Sequence, residues 1–264
     1  MQIQATHASW KGAITFGMVS VPVKLFTATE ERKVSFHQVH EACGIRTRSQ
    51  TVCPSCDRTI DRAEIVKGYE EGGELTLVTE ADLEGLPLRS TRNIDVLAFV
   101  PADSVPLLML DKGYYVGPSD DVGQKAFALL RDAMGSNVAV AKIGRAGREA
   151  VCVIRAHGKV MVLNHLSWAD EVRATDAIEA GLMDVEISEE ERELAKQLVS
   201  ALSQPDASVI EAQEDGYRAA LLSIIQAKRE GREPLQLPKP EKKAAGDLMA
   251  ALKASVAAAS EKAA

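Results

Sequence analysis

The feature that most limits the fold of this chain is a succession of short runs rich in β-branched residues. The first run, KGAITFGMVSVPVKLFTAT over residues 11–29, is punctuated by Gly17 and Pro22 and predicts one or two strands. Six further runs predict strands: KVSFHQV from Lys33, ELTLVT from Glu74, NIDVLAFV from Asn93, VAVAKI from Val138, AVCVIRA from Ala150 and KVMVLNHL from Lys159. Many short strands indicate a barrel or a sandwich.

Helical patterns interrupt and then replace the strand-like runs. QKAFALLRDAM, from Gln124, places Phe127, Leu130 and Met134 on one face of a predicted helix. Ser188, followed by Glu191, forms a capping-box signature that predicts the start of another helix.

A further helix is predicted over residues 211–230, ending near Gly231. The order of elements predicts an α+β chain with three parts. These are a β-rich core, barrel or sandwich, over residues 1–184, a helical region over 185–233 and a flexible Lys- and Ala-bearing tail over 234–264.

Composition indicates a soluble protein of the cytoplasm. Charged residues make up 26% of the 264, and no apolar run is long enough to span a bilayer, so no membrane partner is expected. The first residues lack a secretory signal pattern, and four scattered cysteines are too few for a disulfide scaffold.

The distribution of charge is more informative than the net charge of −7. Residues 1–68 carry nine basic and six acidic groups, and residues 136–175 carry six and three. Residues 176–233 carry six basic and fourteen acidic groups. This segregation is compatible with a basic surface inside an acidic shell, and equally with an unevenly charged solvated surface.

Enzyme motifs are absent from the sequence. There is no GxSxG elbow and no HExxH helix, and Gly158-Lys159 would end a phosphate-binding loop only if Val153 were glycine. The prediction is therefore a protein that is not an enzyme and requires no cofactor.

One cluster has the spacing of metal ligands. His40 and Cys43 are separated by two residues, as are Cys53 and Cys56, and such pairs can complete a tetrahedral site for a structural zinc ion. The alternative is that these are ordinary thiols and a strand histidine.

Basic residues surround this cluster and recur in a second block. Arg46 and Arg48 lie between the two pairs, and IGRAGREAVCVIRAHGK contains Arg145 and Arg148. Such residues can follow a phosphate backbone, or can simply be solvated. Aromatic residues make up only 4% of the chain, which disfavours a stacking platform for single strands.

Several segments, in order, resemble the bacterial Ku proteins of non-homologous end joining. They are WKGAITFGMVSVPVKLFTATEERKVSFHQVH, IVKGYE, VLAFVPAD, DKGYYVGP, KAFALLRDAM, LNHLSWADEVR and ELAKQLVSAL, and together they span about residues 8–232.

The resemblance implies a β-barrel core with a bridging arm, and a homodimeric ring that threads double-stranded DNA ends. It also implies that residues 188–232 engage the repair ligase D. The family role of lining the ring is transferred to basic residues within or beside the matching segments: Lys24, Arg32, Lys33, Arg46, Arg48, Lys67, Arg145 and Arg148.

Two competing functions belong to other classes. A zinc-dependent enzyme would use Cys53, Cys56 and a histidine, although no general base accompanies them. A scaffold that binds basic proteins through its acidic faces would fit the net charge but not the basic blocks.

Overall fold

A computed structural model describes residues 7–84, 92–145, 148–233 and 248–263. The chain forms two compact units. The first comprises residues 1–31 and 37–174, and the second comprises residues 32–36 and 175–264.

The first unit contains eleven strands and two helices among the described residues. In chain order they are β1 (Trp10–Phe16), β2 (Val19–Thr27), β3 (Val52–Cys53), β4 (Arg58–Thr59), β5 (Lys67–Glu71), β6 (Glu74–Val78), α1 (Glu80–Glu84), β7 (Asn93–Pro101), β8 (Leu110–Pro118), α2 (Gln124–Met134), β9 (Asn137–Arg145), β10 (Arg148–His157) and β11 (Val160–Leu166).

Seven of the strands close into a barrel in the order β1-β2-β8-β11-β10-β9-β7. Neighbours pair antiparallel except β7 and β1, whose parallel pairing sets Ile14 beside Ile94 and closes the sheet. Alternation along β2 turns Val21, Val23 and Leu25 inward, where each is fully buried. The apolar interior explains why these strands require β-branched and aliphatic residues at every second position.

Helix α2 completes the barrel core. Its residues Phe127, Leu130 and Met134 are buried in the same cluster as the inward-facing strand residues. This is the face that the helical spacing predicts, so the prediction is confirmed.

Most of the predicted strands are confirmed, but the one starting at Lys33 is wrong. Residues 32–36 form no strand and belong to the second unit. Phe36 is exposed, and Val39 makes only an isolated bridge to Arg46. A strand-like run becomes a strand only where a neighbouring backbone pairs with it, and this run has no such neighbour in the described chain.

Strand β8 was not predicted, because its polar start, Asp111-Lys112-Gly113, hides the alternation of a strand. Pairing with β2 on one side and β11 on the other nevertheless fixes it as an interior strand.

The second unit is helical. It contains α3 (Asp176–Glu179), α4 (Glu189–Leu202), α5 (Ser208–Glu211), α6 (Gly216–Arg229) and α7 (Leu248–Ala263). The capping box is confirmed, because Ser188 Oγ accepts a hydrogen bond from the Glu191 amide at 3.2 Å. Helix α6 begins later than predicted, since Asp215 caps it by accepting from the Arg218 amide. It ends, as predicted, ahead of Gly231, whose φ is +68°.

The tail differs from the expectation of a wholly flexible segment. Its described end forms α7, which packs along α4. Lys253 Nζ lies 3.0 Å from Glu190 Oε1, and Leu252 contributes to a groove lined by Ile187, Ala195 and Val199 among others. Alanine-rich sequence has high helix propensity, which accounts for the helix.

Candidate nucleic-acid interface

The segment between β2 and β7 carries most of the predicted basic residues. We call residues 37–84 the arm. None of its residues is buried, and its order comes from two small antiparallel pairs, β3 with β4 and β5 with β6. The arm therefore presents its side chains to the surroundings and contributes nothing to the barrel core.

Three of the predicted DNA contacts lie on the arm. Arg46 pairs with Val39 in the isolated bridge, Arg48 follows it, and Lys67 begins β5. All three are exposed, and within the described ranges none of them forms an ion pair. Their charges are therefore available to a phosphate backbone.

Arg58, a neighbouring cation, has a different role. Its guanidinium lies 2.6 Å from Glu64 Oε1, and it lowers the pKa of that carboxyl group. The amide of Asp61 also donates to Glu64, so Arg58 and Glu64 together fix the turn after β4. The adjacent Arg62 is exposed and forms no ion pair among the described residues.

Lys24 lies on the outer face of the barrel, half-buried between inward-facing neighbours on β2. The register of β1 and β2 sets Lys11 directly opposite it. Lys11 was not among the predicted contacts, because cross-strand neighbours follow from the register and not from spacing along one strand. The two lysines form a small basic patch on this face.

The second basic block lies at the connection between β9 and β10. The register pairs Arg145 with Arg148, and residues 146–147 between them fall outside the described chain. Arg148 is exposed at a depression of mixed charge that Asp111, Lys112 and Glu171 also line.

Arg32 and Lys33 are the remaining predicted contacts. Both are exposed, and both belong to the second unit. The structure thus distributes the predicted set between the arm, the barrel and the helical unit, and joins only the first two in one compact unit.

The four predicted metal ligands form two pairs. His40 Nδ1 lies 3.2 Å from Cys43 Sγ. The amides of Cys56 and Ser55 donate to Cys53 Sγ, and these bonds lower the pKa of the Cys53 thiol. Across the described residues, no three His, Cys, Asp or Glu side chains form a metal-holding group. The structure therefore does not bring the two pairs together, and zinc binding stays a prediction.

These features define a class: a closed β-barrel protein with an inserted arm that exposes several cations and lacks a core of its own. A family model described as Ku70/Ku80 beta-barrel domain matches residues 15–200. The chain belongs to the Ku family.

Relatives named "Non-homologous end joining protein Ku" match most of the chain. The chain is 43% identical to that of Frankia casuarinae over 96% of its own length and 64% of the relative's. It is 37% identical to that of Symbiobacterium thermophilum, covering 97% of this chain and 64% of the relative. The Archaeoglobus fulgidus protein is 37% identical, with 86% and 90% covered. The chain thus spans less than two thirds of the first two relatives.

The comparisons bear on the class of activity. Membership of the Ku family is consistent with the prediction of a protein that is not an enzyme. Among the helices in the described ranges, none has the length and apolar character needed to cross a bilayer.

Proposed function

We propose that this protein binds the ends of double-stranded DNA, without regard to sequence, in non-homologous end joining. The observation that carries the proposal is the family match over residues 15–200, on a barrel with an inserted arm that exposes Arg46, Arg48 and Lys67. The relatives' names supply the process. Since none of the proposed contacts lies on a helix in the described ranges, the expected contacts are with phosphates and not with base edges.

The proposed assembly is a homodimeric ring in which two arms enclose the duplex. Apolar residues on the arm support a second copy as the occupant of this surface, because Leu75 and Leu77, which lie on one face of the hairpin of β5 and β6, are each 61% exposed in one chain. A two-stranded hairpin is marginally stable in water by itself. Burial of these residues against a partner arm would stabilise it.

Ring closure explains how a protein with a net charge of −7 could retain DNA. A closed ring loads only from a free end and prevents lateral escape, so modest phosphate contacts are sufficient. The proposed contacts are Lys24, Arg32, Lys33, Arg46, Arg48, Lys67, Arg145 and Arg148.

End threading is tested with one plasmid in two forms. We expect binding to the plasmid linearised by a single cut and little binding to its covalently closed form, in physiological salt. Because both forms have the same sequence, only the free ends differ. Equal affinity for the two forms would contradict the proposal.

Dimerisation is tested on the arm hairpin. Leu75→Lys combined with Leu77→Lys is expected to convert the dimer to monomers in light scattering, because charged side chains would be placed in the interface. Val122→Lys is the matched control, since Val122 is 91% exposed and lies outside the arm. If the double variant remains dimeric, the arm is not part of the dimer interface.

The acidic helical region is proposed to recruit and stimulate the repair ligase, ligase D. Residues 188–232 contain α4, α5 and α6 and carry nine acidic and six basic groups. Their deletion is expected to abolish stimulation of ligation while the barrel and arm still bind DNA. Loss of both activities together would refute this division of labour.

A further inference from the structure

The two pairs of candidate ligands lie in turns of the same construction. Each turn has a ligand at its first and fourth positions and a residue of positive φ at its fifth. In the first turn these are His40, Cys43 and Gly44, with φ +67°. In the second they are Cys53, Cys56 and Asp57, with φ +48°.

The backbone hydrogen bonds of the two turns also correspond. The Gly44 amide donates to the His40 carbonyl at 2.8 Å, and the Asp57 amide donates to the Cys53 carbonyl at 2.9 Å. Antiparallel pairing flanks each turn, through Val39 with Arg46 in the first and through β3 with β4 in the second. Two such hairpin turns, each with two ligands, are the components of a zinc ribbon.

The side chains within each turn already converge. His40 Nδ1 faces Cys43 Sγ at 3.2 Å, so Nδ1 is the nitrogen directed toward the shared position. In the second turn the side chains of Cys53 and Cys56 are hydrogen-bonded to each other, while two backbone amides donate to Cys53 Sγ. Amide donors of this kind orient a sulfur ligand and offset its negative charge.

Nothing apolar holds this part of the arm in place. No residue between positions 35 and 70 is buried, and Val39, Ile45 and Val52 are each at least half exposed. Small segments that cannot build a core commonly derive their folding free energy from a metal ion.

From these observations we propose that His40, Cys43, Cys53 and Cys56 bind one structural zinc ion per chain, with His40 ligating through Nδ1. The two pairs do not lie within one coordination sphere in the described structure, so zinc draws the turns together. Only residues 48–50 separate the hairpins, and the four peptide steps from Thr47 to Thr51 span at most about 14 Å. Residues 48–50 are therefore few enough to keep the two turns near each other, and they are exposed enough to change conformation when zinc binds.

The site proposed is structural and closed. Three thiolates and one imidazole fill a tetrahedral zinc sphere and leave no position for a water molecule, so the site supplies no hydrolytic chemistry. The proposal does not depend on DNA binding.

The test is the metal content of the full chain, purified under reducing conditions and reconstituted with zinc. We expect about one zinc per chain by elemental analysis, and an X-ray absorption spectrum with three sulfurs at about 2.3 Å and one nitrogen at about 2.0 Å. His40→Gln and Cys53→Ser are each expected to reduce zinc affinity at least about tenfold. His37→Gln is the matched control, because His37 is exposed in the same segment but lies in neither turn.

Folding of the variants is monitored separately through the barrel, whose core contains none of the four ligands. Chelation of zinc is expected not to change the temperature at which the barrel unfolds. Proteolysis within residues 37–66 is expected to become faster. A folded wild-type chain without zinc, or with a Cys53–Cys56 disulfide instead, would overturn the proposal. One zinc per two chains, or equal loss of zinc in His37→Gln, would overturn it as well.

Discussion

At the scale of single residues, burial separates one cysteine from the other three. Cys152 lies in the barrel core with no exposed surface, whereas Cys43 and Cys56 are exposed and Cys53 is intermediate. Desolvation raises the pKa of the Cys152 thiol from 9.0 to about 12. The Cys152 side chain therefore acts as a small apolar group that fills space among aliphatic neighbours.

Alkylation should distinguish Cys152 from the arm cysteines. At pH 8 the raised pKa reduces its thiolate fraction by about a thousandfold, and burial also excludes the reagent. We expect Cys152 to stay unmodified in native, metal-free protein while Cys43 and Cys56 react, with mass spectrometry as the measurement. Denaturant should expose Cys152 together with loss of the barrel, and rapid labelling of the native chain would contradict this account of the core.

The helix cap before α4 is a second feature of single residues. Ser188 Oγ donates to Glu191 Oε2 at 2.7 Å, and these bonds lower the pKa of the Glu191 carboxyl group. A pKa lowered by folding stabilises the folded state above the usual carboxyl range. That stabilisation is lost as the pH falls through the lowered range.

Ser188→Ala should therefore fray the start of α4. The expected cost to the helix is about 1 kcal/mol, the usual value for loss of a serine cap. Hydrogen exchange over residues 189–193 measures the effect, which should shrink as acid protonates Glu191. Ser200→Ala is the control, because Ser200 lies exposed within the same helix and caps nothing. Equal exchange in both variants would exclude a role for the cap.

At the scale of elements, closure of the barrel depends on the contact of β1 with the start of β7. The Ala13 amide donates to the Arg92 carbonyl at 3.0 Å, and a Cβ at Gly12 would lie 2.0 Å from that same oxygen. Glycine at position 12 lets the backbones of β1 and β7 approach each other. The alternation of residues along either strand does not predict this approach.

Gly12→Ala should accordingly loosen this closure. The Arg92 carbonyl is backbone and cannot rotate away, so we expect a loss of about 1 to 3 kcal/mol in the free energy of unfolding, measured with urea. Gly216→Ala serves as control, because a Cβ there meets nothing within 4 Å and φ is not positive. Equal stability of the two variants would show that β7 adjusts freely.

The same elements show what sequence can predict. Runs with clear alternation, such as NIDVLAFV at β7, become strands because burial on one face rewards that pattern in any sheet. The run from Lys33 and the strand β8 were misjudged because pairing depends on which neighbour the fold supplies. Ligand spacing located His40, Cys43, Cys53 and Cys56, but only the backbone revealed that their turns are equivalent.

At the scale of the whole molecule, the two compact units carry nearly equal net charge, −3 for residues 1–31 and 37–174 and −4 for residues 32–36 and 175–264, so the cations differ in whether an acidic neighbour pairs with them. Unpaired cations lie on the arm and barrel, whereas the basic residues of α4 are matched within their own helix. Arg192 lies 3.7 Å from Glu189, and Lys196 lies 3.7 Å from Glu193. If the proposed function holds, the unpaired cations of the arm and barrel contact phosphates and the basic residues of α4 do not.

The salt dependence of binding to a linear duplex tests this assignment. Each lost phosphate contact lowers the slope of log affinity against log salt concentration by about 0.9, so Arg46→Ala with Arg48→Ala should lower it by up to about 1.8. Adding Lys67→Ala should lower it further. Arg192→Ala with Lys196→Ala removes the same charge from the helical unit, and the slope should not change. Equal slopes for the arm and helix variants would mean that net charge, and not the arm, governs binding.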